Sequence, residues 1–292
     1  MRTWSKALNS SPVAGGKTQG TYSQIGSITI PNKDMPLYLY GILISVARQA
    51  VTAGEGLGVE LELNSSDLGL YQERYVLENF NSGDPVATNT QSVVYKSEFV
   101  PVYSSETVNN KQIDIHLSVS ATISDDLVAF VSAIFGDVPI DQADPNYLDE
   151  LKNGFRSNVR ALGRLEQDPG KAHGTANADV SLTSISVPGK AKELVGLLAV
   201  GQLNAPTAGE EGLFQFSFES GDIQGFAPQE YPACISYDPP LGTVVGGAER
   251  EDIRYYPVRF PLPQSNFDMT VKSRSVIALT NAPNTKQAVK YR

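Results

Sequence analysis

The chain repeats itself. Thr52-Ala53-Gly54-Glu55 returns as Thr207-Ala208-Gly209-Glu210. The same offset carries Gly41-Ile42-Leu43 onto Gly196-Leu197-Leu198, Val59-Glu60-Leu61-Glu62-Leu63 onto Phe214-Gln215-Phe216-Ser217-Phe218, and Asp67-Leu68 onto Asp222-Ile223. Small changes of offset extend the series. Ser27-Ile28-Thr29-Ile30-Pro31 pairs with Ser184-Ile185-Ser186-Val187-Pro188, Gly20-Thr21 with Gly174-Thr175, Pro101-Val102 with Pro257-Val258, and Ile113-Asp114-Ile115 with Phe267-Asp268-Met269. A collinear series of this kind marks two copies of one unit, so the fold open to the first copy must also be open to the second.

Within each copy the apolar period is two. Val59, Leu61 and Leu63 alternate with Glu60 and Glu62, and Phe214, Phe216 and Phe218 with Gln215 and Ser217; Ile113, Ile115, Leu117 and Val119 repeat the pattern. Such alternation buries one face of a sheet and wets the other. Leu37 to Val46 and Leu194 to Leu203 are more continuously apolar, as strands covered on both faces are. Turn formers separate the runs, at Ser82-Gly83-Asp84-Pro85, Asp238-Pro239-Pro240, Gly246-Gly247 and Asn281-Ala282-Pro283-Asn284. The expected fold is all-β: two tandem eight-stranded jelly-roll sandwiches joined by a helical segment. The expected divisions are an N-terminal arm at 1–19, a first jelly roll at 20–124, a helical linker at 125–173, a second jelly roll at 174–285 and a C-terminal tail at 286–292.

The linker is expected to hold two helices. Leu127, Val128, Phe130, Val131, Ile134 and Phe135 stand at helical spacing after Ser124, a residue suited to an N-cap. A second helix is expected from Asp144-Pro145, with Leu148, Leu151, Phe155, Val159 and Leu162 as its apolar face. On it Lys152, Arg156, Arg160 and Arg164 recur every four residues, a basic stripe on a chain of net charge −9. Its plain reading is a solvated face; its functional reading is docking against an acidic neighbour, lipid headgroups or nucleic acid.

Little in the chain points to chemistry. The two histidines, His116 and His173, belong to no metal-binding motif. Cys234 is the single cysteine, so an intrachain disulfide is excluded and a buried structural thiol is expected. Gly15-Gly16-Lys17-Thr18 lacks both the leading glycine and the preceding strand of a phosphate loop. Asp67 with Asp222, and Asp114 with Asp268, occupy matching places in the two copies, which suits a structural role better than an acid–base pair. No catalytic residue, metal ligand or cofactor site is expected. Net charge −9 also argues against unspecific nucleic-acid binding. The N-terminus lacks the apolar core of a signal peptide, and the longest apolar run falls short of the roughly 20 residues a helical span needs. A soluble chain is the expectation.

Two tandem sandwiches in one chain, carried by the paired runs Ser27–Pro31 with Ser184–Pro188 and Gly41–Leu68 with Gly196–Ile223, resemble the double jelly-roll major capsid proteins of tailless icosahedral, membrane-containing viruses and phages. The resemblance covers about residues 20–285 and rests on architecture and length. It implies a structural protein and not an enzyme: a homotrimer whose six rolls form a pseudo-hexameric capsomer of a virion shell assembled in the host cytoplasm. It further implies neighbouring capsomers, and in some cases minor capsid proteins and an internal membrane, as partners. On this reading Trp4 and Leu8 anchor the N-terminal arm against a neighbour, and the basic C-terminal tail does likewise or frays. The competing readings are a lectin-like carbohydrate-binding sandwich and a double jelly-roll glycan hydrolase.

Overall fold

A computed structural model of the chain describes residues 1–8, 18–48, 58–77, 94–119, 122, 127–153, 163–202, 213–234 and 252–291, less residues 105, 170, 188, 190 and 277. The first copy supplies β1 (Thr3–Leu8), β2 (Ser23–Thr29), β3 (Tyr38–Arg48), β4 (Val59–Ser65), β5 (Leu70–Val76), β6 (Val94–Pro101), β7 (Gln112–Val119) and β8 (Leu127–Gly136). After helix α1 (Pro145–Asn153) the second supplies β9 (Gly163–Pro169), β10 (Asp179–Val187), β11 (Glu193–Gln202), β12 (Leu213–Glu219), β13 (Gln229–Cys234), β14 (Asp252–Pro261), β15 (Phe267–Ser275) and β16 (Asn284–Tyr291).

The pairing follows one scheme twice. In the first copy β1 pairs with β8, β2 with β7, β3 with β6 and β4 with β5, all antiparallel, as in a long hairpin ribbon. Rolling that ribbon up adds the pairs β3–β8 and β4–β7 and yields two sheets, β1-β8-β3-β6 and β2-β7-β4-β5. The second copy repeats this eight strands later, with sheets β9-β16-β11-β14 and β10-β15-β12-β13. This is the jelly-roll order, so the all-β expectation and the tandem arrangement hold together.

The match extends to single contacts. A Cβ on Gly41 would collide with the Phe99 ring, and one on Gly196 with the Tyr255 ring. In each roll an aromatic of the sixth strand therefore lies on a glycine of the third. Ser27 donates to Asp114 at 2.5 Å and Ser186 to Asp268 at 2.5 Å, each across a second–seventh strand pair. The sequence match had aligned Ser27 with Ser184. The second strand is thus displaced by two residues between the rolls, which keeps every side chain on its own face.

Four expectations need correction. The N-terminal arm is β1, with Trp4 and Leu8 buried in the chain's own core and not held for a neighbour. The first linker helix is β8. Its apolar run has almost no polar gap, so helical spacing is met trivially, while Val128, Val131, Ile134 and the phenylalanines favour a strand. The expected C-terminal tail is β16, an interior strand between β11 and β9. Arg164 lies on β9, so no single helix carries the basic stripe from Lys152 to it. The second helix does begin at Pro145, where Asp144 accepts from the Asn146 N–H at 3.0 Å. Arg156, Arg160, Phe155, Val159, Leu162, Ser124, both Thr-Ala-Gly-Glu runs, the side chain of Cys234 and the turns at 82–85, 238–240 and 246–247 lie outside what is described.

Candidate functional site

The apolar interiors of the two rolls merge into one cluster that runs from Trp4 through Phe135 to Phe260. The seam between the rolls explains why. Ala129 to Gly136 of β8 are buried without a break, as are Leu39 to Val46 of β3, because both faces of their sheet are covered. The inner face packs in the first roll; the outer face meets β13 of the second roll, which contacts all four strands β1, β8, β3 and β6.

The join at β1 is made by side chains. The Ser5 N–H donates to Gln229 Oε1 at 2.9 Å and the Ala7 N–H to Glu230 Oε2 at 3.1 Å. In return the Glu230 N–H donates to Ser5 Oγ at 2.8 Å, and Ser132 Oγ donates to the Glu230 carbonyl at 2.8 Å. Lys6 forms an ion pair with Glu230 at 3.4 Å. An edge strand presents unpaired N–H groups that invite wrong pairing; here the acceptors of β13 satisfy them and fix the second roll in place. Thr3 and Ser5 looked like arm residues because they are polar, yet both are buried and bonded.

Trp4 closes one end of the seam. Its indole lies 6.2 Å from Phe135 and 5.7 Å from Phe260, edge-on to the latter, and its Nε1–H donates to the Gly225 carbonyl at 3.1 Å. Arg259 closes the other side. It is 6% exposed and its guanidinium lies 3.2 Å from Glu150, 3.7 Å from Asp144 and 5.3 Å from the Tyr147 ring centre, while donating to the carbonyls of Val195 and Val258. Its backbone N–H donates to Thr3 Oγ1 at 2.9 Å. One arginine thus joins α1, β1 and the second roll. Burial pushes the Tyr255 hydroxyl up to about 12, with the Glu150 carboxylate adding to it.

Two clefts open where Arg2 and Met35 reach the seam. One, of about 740 Å³, is lined by Met1, Arg2, Met35, Asp137, Lys192, Glu193 and Pro261. The other, of about 410 Å³, is walled by Trp4, Lys33 and Gly225 among others. Lys33 sits 5.0 Å over the Trp4 ring, and burial, then the Arg2 charge, hold its ammonium below the ordinary lysine range. The charges lining both clefts are mixed, so neither carries a defined ligand chemistry.

The remaining candidates are structural. His173 is 1% exposed; its Nδ1 lies 2.9 Å from the Lys171 carbonyl and its Nε2 2.7 Å from Ser273 Oγ. A serine–histidine couple is a nucleophile pattern, but Ser273 is as buried as its partner, so no substrate reaches it. Burial also holds the imidazole below the usual histidine range. His116 is half-buried, its Nδ1 3.3 Å from Asn64 Nδ2, and Asn64 donates to the buried Glu62 at 2.9 Å. Burial acts to raise the Glu62 carboxyl, but hydrogen bonds from Arg74 and Asn64 outweigh it and hold the group below the usual range. Asp222 Oδ2 accepts from the Asp268 N–H of β15 at 3.4 Å, a structural tie within the second roll. Among the described residues no group of acids, histidines or cysteines is placed to hold a metal, and no helix is long and apolar enough to cross a membrane.

The exposed large apolar side chains among the described residues are Tyr71, Val76 and Tyr103. The first two belong to β5, which is exposed at Tyr71 to Arg74 and at Val76. Lys152, the stripe residue that α1 does carry, lies 5.9 Å over the Tyr103 ring.

No protein-family model matches the chain, and no curated protein matches it. Among solved structures it is similar to dimeric latent PorU from Porphyromonas gingivalis at 12% identity and a TM-score of 0.32, covering 97% of this chain and 22% of that one. This chain therefore spans about a fifth of PorU. It is also similar to infectious bursal disease virus, Gx strain, at 13% identity and a TM-score of 0.24, covering 99% and 69%. A third likeness is to Sulfolobus turreted icosahedral virus, at 12% identity and a TM-score of 0.28, covering 100% and 90%. Superpositions this loose carry no argument about this chain, whose reading rests on its own strand order and seam.

Proposed function

We propose that this chain is a viral major capsid protein, a structural subunit that assembles with copies of itself into an icosahedral shell. One observation carries the reading: two rolls of identical strand order are fused through a buried, hydrogen-bonded seam. A rigid pair of like units is what a shell subunit needs, since three such chains supply six similar rolls around one axis and tile a surface with closed local symmetry. The subunit is a homotrimer, its partners are neighbouring trimers, and its place is the virion. Minor capsid proteins and an internal membrane are further partners consistent with the resemblance. Light scattering of the purified chain, followed by electron microscopy of the assembled material, tests this. Trimers and regular particles are expected, and a strict monomer across the accessible concentration range refutes it.

A further inference from the structure

The seam joins unlike surfaces, a strand of one roll and a sheet face of the other. Two rolls alike at both surfaces could repeat that contact from chain to chain without end. The donor is β13 of the second roll, and the receiver is the outer face of β1, β8, β3 and β6 of the first. Each has a counterpart in the opposite roll, which the register fixes residue by residue.

On the donor side the counterpart of β13 is β5. Glu62 faces Arg74 as its repeat Ser217 faces Glu230, and one step along Leu61 faces Tyr75 as Phe216 faces Tyr231. Arg74 therefore stands in the place of Glu230. Glu230 accepts the Ala7 N–H and pairs with Lys6, whereas an arginine accepts nothing and carries the opposite charge. Arg74 is also engaged in its own roll: its Nε donates to Glu62 at 2.8 Å, and its guanidinium lies 4.2 Å from the Tyr22 ring centre.

On the receiver side Leu43 faces Phe99 and Ser132, and its repeat Leu198 faces Tyr255 and Ala288. The first trio meets β13: Ser132 Oγ donates to the Glu230 carbonyl, and β13 packs against β6, the strand of Phe99. The second trio is a small buried apolar cluster apart from the main core. Against β14, the strand of Tyr255, packs α1. Arg259 Nη1 and the Tyr255 hydroxyl both donate to the Val195 carbonyl, at 3.2 and 3.0 Å. Glu150 of α1 pairs with that guanidinium at 3.2 Å, and its charge acts on that hydroxyl. Tyr147 of the same helix reaches Tyr40 of the first roll, with ring centres 6.1 Å apart. At the Tyr255 corner the helix thus takes, on the second roll, the place that β13 takes on the first.

We infer that α1 is a cap: a helix belonging to neither repeat that closes the second roll's copy of the seam face against a second copy of the chain. With Arg74 on the donor side, both halves of a repeated seam are blocked. Head-to-tail growth into an open filament is thereby prevented, and contacts between whole chains fall to other surfaces. The inference stands apart from the shell reading.

The test frees each half. Glu150→Arg sets a like charge against Arg259 and is expected to lift α1; Arg74→Gln removes the charge on β5 and supplies an acceptor. Wild type, both single variants and the double variant are compared by sedimentation and light scattering over a concentration series, with circular dichroism and urea unfolding as the folding control. The double variant is expected to self-associate about tenfold or more tightly than wild type and to grow past its size. Adding Ala288→Glu, a charge in the uncovered face, is expected to abolish that gain. A folded double variant that keeps the wild-type size at every concentration overturns the inference, and so does a gain that Ala288→Glu leaves untouched. If Glu150→Arg unfolds the chain, Glu150→Gln, which drops only the charge, replaces it under the same criteria. A wild type that stays monomeric sinks the shell reading alone, because the cap is read from what the variants gain over it.

Discussion

Replacing Trp4 with alanine separates a seam strand from a loose arm. The indole is 1% exposed, packs on Phe135 and Phe260, and donates to the Gly225 carbonyl. Truncating a buried aromatic of this size costs about 3–5 kcal/mol. Within that total, the two aromatic pairs account for roughly 0.5–1.5 kcal/mol each. A domain's whole stability is about 5–15 kcal/mol, so the loss is a large share of it. Trp4 is the single tryptophan, which makes its emission a native reporter of the seam. The wild type is expected to emit as a buried indole and to show coincident urea transitions by fluorescence and far-ultraviolet circular dichroism, because seam and rolls share one core. The variant, followed by circular dichroism, is expected to lose stability by the amount above, with Trp4→Phe in between. A cost below about 1 kcal/mol, or wild-type emission typical of an indole in water, would refute the placement of β1 and with it the seam.

His173 titrates against stability in a defined direction. Its folded pKa is depressed by burial, so its contribution is fully present above the unfolded value of about 6.5 and is lost as pH falls through the folded value. Urea midpoints taken between pH 7.5 and 5 are expected to fall with pH in the wild type and to fall less in His173→Asn; equal slopes would exclude the histidine as the source. Gly196→Ala is expected to cost about 1–3 kcal/mol through its collision with Tyr255, and Gly41→Ala a similar amount against Phe99. A double-mutant cycle of Gly196→Ala with Tyr255→Ala checks this, since no coupling would mean that the ring does not rest on the glycine.

Much of the architecture was legible in the chain because its causes are local. Val59, Leu61 and Leu63 alternate on their own strand, and Asp144-Pro145 starts a helix whatever surrounds it. Gly41 recurs as Gly196 in the sequence, but that an aromatic ring rests on each is seen only in the structure. The seam was not legible, although some of its signals stood in plain sight. Thr3-Trp4-Ser5 reads as polar, and only β13 and β14, more than two hundred residues away in sequence, turn those hydroxyls into buried partners. Arg259 carries no local mark that its guanidinium will be enclosed by a helix and a strand from elsewhere.

Sequence alone determined that two like sheet-forming units exist, where β3, β4, β7, β11 and β12 run and which faces the alternating ones bury. Period and propensity act between neighbours, so they survive without tertiary context. Only the tertiary structure decided that the two ends of the chain are strands, that β8 is not a helix, and that β13 is enclosed while β5 stays open. Those choices depend on what covers the second face of a strand. That cover comes from the other roll, and no local pattern encodes it.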